Sequence, residues 1–127
     1  MQEQHTYDYA VIRAVPRVER GEFVNVGVII WCAPQRFLKA LVSVDTKKIL
    51  ALDPKADVEA IQKAVASIPI VCKGGTEAGD LGKLALSERF NWLVAPRSTS
   101  VQTSPVHIGR GCELDQAIEK IFNEMVR

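Results

Sequence analysis

The sequence has few of the residues from which metal, redox and nucleotide sites are usually built. Its 127 residues include three cysteines and two histidines. The cysteines are widely spaced and form no Cys-x-x-Cys pair, so no zinc-binding pattern can be assembled. No Gly-x-Gly-x-x-Gly run follows a predicted strand, and no glycine-rich stretch ends in Gly-Lys-Ser or Gly-Lys-Thr. We therefore expect neither a metal nor a cofactor.

The charge balance and the hydropathy pattern exclude further classes of protein. Sixteen basic and fifteen acidic residues give a net charge of +1, whereas a nucleic-acid-binding protein usually has a clear basic excess. No apolar run approaches the roughly 20 residues that cross a bilayer, and residues 1–8 lack the pattern of a secretory signal. Together with widely spaced cysteines in odd number, these features predict a cytoplasmic protein that contacts no membrane, and they argue against nucleic acid as a partner.

The first third of the chain predicts three β-strands. Residues 7–15, 23–32 and 37–44 are rich in β-branched and aromatic residues and are separated by short turns, which favour antiparallel pairing. The second and third strands are apolar on both faces at their centres, which indicates a sheet that is covered on both sides or strongly curled. Strict alternation divides the second strand into one face with Val24, Val26, Val28 and Ile30, and another with Asn25, Gly27, Ile29 and Trp31.

The middle of the chain predicts two helices and a loop. Asp53-Pro54 is a typical helix start, and apolar residues then recur at helical spacing until Pro69, which ends the helix. Residues 72–82 contain four glycines and read as a flexible surface loop. A short amphipathic helix follows, with Ser87 as its N-cap, and it stops at Pro96.

The last third predicts one more strand and the clearest helix. Residues 101–108 are β-prone, and Pro105 restricts them to an edge strand or a bulge. A regular apolar stripe from Leu114 to Met125 predicts a C-terminal helix. With 47% hydrophobic and 24% charged residues, we expect residues 1–127 to form a single α+β domain. It would contain an antiparallel, curled sheet of about four strands, with two or three helices packed on it.

The first candidate site is a polar stretch over residues 13–27, at the join between the first two strands. The planar guanidinium of arginine binds carboxylate or phosphate with two parallel hydrogen bonds, and acidic neighbours can hold it in position. Gly27 would let a ligand or another backbone approach closely. The alternative is an exposed hairpin whose charges are only solvated. The candidate residues are Arg13, Arg17, Glu19, Arg20, Glu22 and Asn25.

The second candidate site is the stretch over residues 89–107. A cation followed by hydroxyl side chains after a helix end is a plausible anion cradle. His107 is a candidate general base because imidazole titrates near neutral pH, although a lone histidine beside a proline is more often a structural hydrogen-bonding residue. Ser104 is too close to His107 in sequence to indicate a catalytic triad. The candidate residues are Arg89, Trp92, Arg97, Ser98, Gln102, Ser104 and His107.

Both candidate stretches carry a resemblance to a known family. The quoted motifs are Tyr7-Asp8-Tyr9-Ala10-Val11-Ile12-Arg13, Glu22-Phe23-Val24-Asn25-Val26-Gly27-Val28, Arg89-Phe90, Ala95-Pro96-Arg97-Ser98-Thr99 and Ser104-Pro105-Val106-His107. They resemble, over nearly the whole chain, an uncharacterised bacterial domain-of-unknown-function family, numbered three-zero-three-seven. The family has no established activity to carry over. Its members tend to be encoded beside a HipA-like kinase, so the resemblance implies such a kinase as a partner or a shared pathway.

Two functions from different classes follow. The first is a non-enzymatic domain that binds or regulates a HipA-like kinase. The second is an enzyme or binder that acts on a phosphate- or carboxylate-bearing ligand through an Arg-rich pocket. In the second, five arginines would contact the anion and Glu19, Glu22 or His107 would transfer protons. That hypothesis requires the two stretches to converge on one pocket, with the arginines Arg13, Arg17, Arg20, Arg89 and Arg97 lining it.

Overall fold

A computed structural model of the protein describes residues 3–127 and confirms the α+β class. Five strands form one antiparallel sheet in which β3, β2 and β1 are neighbours, and β4 and β5 both pair with β1. The strands are β1 (His5–Ala14), β2 (Val24–Cys32), β3 (Phe37–Val42), β4 (Val101–Thr103) and β5 (His107–Gly111). Within the described residues the helices are α1 (Thr46–Leu52), α2 (Val58–Lys73), α3 (Leu86–Val94) and α4 (Leu114–Met125), with 3₁₀ segments at Val18–Arg20 and Thr76–Lys83.

One edge of the sheet is a strand broken in two by a proline, and β3 forms the other edge. β4 pairs with residues 12–14 of β1 and β5 pairs with residues 5–9, and Pro105 lies in the gap between them. Because proline has no N–H to donate to a strand partner, the sequence restricted this segment to an edge strand or a bulge. The structure places it at an edge of the sheet. Ser104 closes the gap: its Oγ accepts the Val11 N–H at 2.9 Å, and its own N–H donates to the Val11 carbonyl at 2.8 Å.

Helices cover both faces of the sheet, as the doubly apolar strands predict. On the first face, α1, α2 and α3 pack on Ile12, Ala14, Val26 and Ile29, and on the second face α4 packs on Tyr7, Val28, Ile30 and Cys32. Both faces bury large apolar side chains completely, and this burial is the main stabilisation of the fold.

The predicted face assignment of β2 is wrong because the strand contains a β-bulge. Ile12 pairs with Gly27 and Arg13 pairs with Asn25, so Val26 is an extra residue with no partner in the ladder. A bulge shifts the alternation by one residue, and a count with period two cannot detect it. Val26 therefore joins Ile29 on the first face, while Val28 and Ile30 lie on the second.

The helices differ from the prediction in several further details. α1 was not expected, and it begins at Asp45, whose side chain accepts the N–H groups of Lys47 and Lys48. α2 begins four residues later than predicted, with Asp57 as its N-cap, and it continues through Pro69 to Lys73. Its last turn is retained because Val71 and Cys72 are buried in the core. The predicted glycine loop is largely a 3₁₀ segment. The N-cap position of α3 is Ala85 and not Ser87, and no side chain caps this helix.

The buried thiol of Cys72 makes stability depend on pH. Burial raises its pKa from 9.0 to about 12, although the nearby Arg89 opposes the shift. Because only the unfolded thiol ionises near pH 9, the stabilisation is complete below that pH and is lost as pH rises from 9 towards 12. We expect wild type to lose about 1 kcal/mol per pH unit more than Cys72→Ala in that window. Urea unfolding at several pH values measures the difference, and parallel curves for the two proteins would contradict the expectation.

Candidate binding surface

The two predicted stretches meet along the ladder between β1 and β4. Arg13 pairs with Gln102, and the Val15 N–H donates to the Ser100 carbonyl at 2.6 Å. On its other side Arg13 pairs with Asn25 of β2. Side chains of paired residues project to the same face of a sheet. Asn25, Arg13 and Gln102 therefore form a polar row across three strands on the second face.

Arg13 retains unused hydrogen-bonding capacity at the centre of this row. Its guanidinium carbon lies 4.1 Å from the ring centroid of Phe23, whose side chain is 44% exposed. Within residues 3–127, the buried atoms Arg13 Nε and Asn25 Oδ1 have no hydrogen-bond partner. The amide nitrogen of Asn25 donates to the Met125 carbonyl at 3.0 Å, which ties the row to the end of α4.

A second arginine stacks on an aromatic ring at the end of α3, which packs on the first face of the sheet. The guanidinium carbon of Arg97 lies 4.2 Å from the ring centroid of Trp92, which is 44% exposed. Arg97 also donates to the carbonyls of Leu93, at 3.4 Å, and of Trp92. These bonds fix the guanidinium at the end of α3, where helix carbonyls have no partner within the helix. Ser98 follows it as an exposed residue.

The arginines of the turn between β1 and β2 are already paired with neighbouring carboxylates. Arg17 Nε lies 3.0 Å from Glu19 Oε1, and Arg20 Nε lies 2.8 Å from Glu22 Oε1. A backbone hydrogen bond and the bond from Arg17 lower the pKa of Glu19. Because both pairs are exposed, they contribute little to stability. They hold the turn and leave less positive charge for a ligand than the sequence suggested.

Arg89 is a structural residue in the interior. Its side chain is buried, with 8% exposure, and lies between α2 and α3. Its guanidinium donates to the carbonyls of Val71 at 3.0 Å, Cys72 at 2.9 Å and Leu84 at 3.1 Å. These bonds occupy donors that the anion hypothesis assigned to a ligand. Arg89 therefore holds the end of α2 and presents no open anion site.

The remaining candidates are dispersed along the edge. Gln102 donates from Nε2 to the Thr99 carbonyl at 2.9 Å, which stabilises the entry to β4. Ser104 is buried and has the structural bonds described above. His107 is exposed, and its ring centroid lies 5.4 Å from that of Tyr9. Its neighbour Ile108 is 72% exposed.

The stretches therefore meet through their backbones, while their arginines do not converge on one pocket. Arg13 faces the second side of the sheet, Arg97 stacks at the end of α3, and Arg89 is buried. The sequence did not identify Phe23 as part of the surface, because an aromatic residue at the start of an apolar strand resembles a core residue. Its position across the hairpin from Arg13 was the available signal.

We give the name edge surface to the group around the β4 edge that comprises the exposed Phe23 and Trp92 and the partly exposed Arg13, Arg97 and Gln102. A guanidinium stacked on an aromatic ring is weakly hydrated, so it loses little solvation when a partner covers it. Arginine and tryptophan are also enriched among the residues that contribute most to protein–protein binding. The edge surface therefore has the chemistry of a protein-binding site.

The described part of the chain has neither a cluster of metal-binding side chains nor a helix that could span a membrane. In residues 3–127, no three side chains of His, Cys, Asp or Glu are grouped so as to hold a metal ion. Over the same residues, no helix has the length and apolar character required to cross a membrane.

Comparison with known proteins places the chain beside one family. Residues 9–126 match the sequence pattern of the family DUF3037, whose description is 'protein of unknown function'. This match covers nearly all of the chain, including both predicted stretches and the edge surface. No curated protein and no solved structure matches.

Proposed function

The chain belongs to the DUF3037 family, and we propose that it is a non-enzymatic, cytoplasmic domain that binds a HipA-like kinase through the edge surface. The observation that carries this proposal is the pair of exposed arginine–aromatic stacks, Arg13 on Phe23 and Arg97 on Trp92, on either side of β4. The identity of the partner comes from the resemblance, which implies a HipA-like kinase encoded nearby.

The geometry of the stacks supports binding of a protein rather than turnover of a small ligand. The two stacks lie around an exposed strand edge, and strand edges present backbone N–H and C=O groups to an incoming chain. Arg97 is held by helix carbonyls, so ordering it on binding costs little side-chain entropy. A partner with acidic and apolar groups would cover both rings and pair with both guanidinium groups.

Co-expression of the chain with a HipA-like kinase from the same genome tests the proposal. We expect the two proteins to elute together in size-exclusion chromatography at micromolar concentration. The double variant Trp92→Ala/Arg97→Gln removes one of the two arginine–aromatic stacks that we expect to contribute most to binding. We expect the dissociation constant to rise about 30-fold, which corresponds to about 2 kcal/mol.

Arg36→Gln is the matched control, because Arg36 is an exposed arginine in the turn between β2 and β3, away from the edge surface. It removes the same charge, and we expect it to leave the affinity unchanged. Absence of a complex at micromolar concentration, or an equal loss in the double variant and in the control, would overturn the proposal.

A further inference from the structure

A groove of about 430 Å³ lies between β5 and α4, apart from the edge surface. α4 packs mainly over β2 and β3 on the second face, but it also reaches Tyr7 of β1 and the strand β5, and the groove lies in the seam that remains between β5 and α4. Gly109 and Gly111 line the groove and have no side chains to fill it. A Cβ atom at Gly109 would lie 2.5–2.7 Å from ring atoms of Tyr7, so the tyrosine ring lies directly against this glycine.

The floor of the groove contains an unpaired hydroxyl. Tyr7 lines the groove, yet its side chain is only 7% exposed. Among residues 3–127 its hydroxyl makes no hydrogen bond. Burial, followed by the charges of Tyr9 and Glu124, raises the pKa of Tyr7, so the hydroxyl stays protonated and is able to donate and to accept. Because Tyr7 lines the groove, a ligand that enters it is able to hydrogen-bond to this hydroxyl.

The floor of the groove favours a cation. Glu124 is the carboxylate whose charge acts on the Tyr7 hydroxyl. The rings of Tyr7 and Tyr9 lie 6.1 Å apart, and aromatic faces attract cations. Arg110 and Lys120 also line the groove with Glu113 and Glu124, so the lining as a whole is neutral. Selectivity for charge therefore arises at the floor.

The open side of the groove is a strand edge. β5 pairs with β1 on one side, and on its other side it has no strand partner within the described chain. An extended peptide can add to such an edge through backbone hydrogen bonds and place alternate side chains in an adjacent groove. Tyr7 lines the groove beside β5, so a side chain that enters the groove from this edge is able to reach it.

We propose that the groove between β5 and α4 binds an extended peptide segment of a partner protein as an added strand on β5. A lysine or arginine side chain of that segment lies in the groove, against the Tyr7 hydroxyl and the Glu124 carboxylate. The edge surface and the HipA-like kinase play no part in this site, so it stands or falls independently of the proposed function.

Nuclear magnetic resonance titration of the ¹⁵N-labelled protein tests this site with three acetylated, amidated peptides. Their sequence is Thr-Val-Thr-X-Thr-Val-Thr, with arginine, leucine or glutamate at X. We expect the arginine peptide, at millimolar concentration, to shift the amide signals of β5 and α4. We expect the glutamate peptide to bind at least about tenfold more weakly, a difference of about 1.4 kcal/mol.

Glu124→Gln and Glu119→Gln form a matched pair of variants, because both residues are exposed on α4 but only Glu124 lines this groove. Glu124→Gln is expected to remove most of the preference for arginine over glutamate, and Glu119→Gln to retain it. The proposal is overturned if the arginine peptide causes no shifts, if the glutamate peptide binds equally well, or if the two variants behave alike.

Discussion

Replacing Arg89 with methionine is expected to lower the free energy of unfolding by about 3–5 kcal/mol. Methionine preserves much of the buried volume but removes the donors that bind three carbonyl oxygens. Those of Val71 and Cys72 belong to the last turn of α2, where no partner within the helix is available. Leaving each buried carbonyl unpaired costs about 1–3 kcal/mol. Urea denaturation followed by circular dichroism measures the loss.

Arg97→Met is the control for this prediction. Arg97 also donates to two carbonyls at a helix end, but it is partly exposed and stacks on the exposed Trp92, so water is able to replace its hydrogen bonds. An exposed cation–aromatic contact contributes about 0.5–1 kcal/mol, so the loss should be small. If Arg89→Met and Arg97→Met cost the same, Arg89 does not hold the end of α2, and its role as a ligand contact would have to be reconsidered.

Gly27→Ala is expected to destabilise the protein by about 2–3 kcal/mol, because the added methyl group has no space. A Cβ at this position would lie 2.6 Å from the Leu41 carbonyl oxygen and 2.9 Å from side-chain atoms of Ile12 and Val42. The nearest neighbour is the backbone of β3, which is paired with β2, so it cannot move away as a flexible side chain does. The same denaturation experiment gives the change in stability.

Gly111→Ala provides the comparison within the same sheet. There the new Cβ would lie 3.5 Å from the Cβ of Ala117, which is an ordinary van der Waals contact. We expect a change within about 0.5 kcal/mol. Where no clash occurs, alanine is favoured over glycine in a strand. If Gly27→Ala also leaves the stability unchanged or raises it, β2 and β3 do not approach each other as closely as described.

Much of the sheet was predictable because local patterns determine it. Alternation and turn residues predicted β1 to β3, and the apolar stripe predicted α4, whose Ile118 and Phe122 are buried. The bulge at Val26 was not predictable, since it is defined only by the partner strand. The continuation of α2 through Pro69 was also missed, because the core packing that retains the last turn is invisible in the local sequence.

The candidate residues were predicted by type, and their roles depended on tertiary structure. Arg13 and Arg97 were selected as arginines next to strands and helix ends, and both lie on the surface. Arg89 was selected on the same grounds, but its three partners lie up to 18 residues away and only the fold brings them to its guanidinium. The groove gave no signal at all, since Gly109 and Gly111 are informative only once α4 is placed beside them.

The central claim, that the edge surface binds a partner, is tested most directly by hydrogen–deuterium exchange of the chain with and without the HipA-like kinase. The account predicts that saturating kinase slows exchange most strongly in residues 92–103 and 13–25. It also predicts little change in α1 and β3, on the far side of the sheet. Protection centred on α1 and β3, or no protection anywhere at saturation, would contradict the claim.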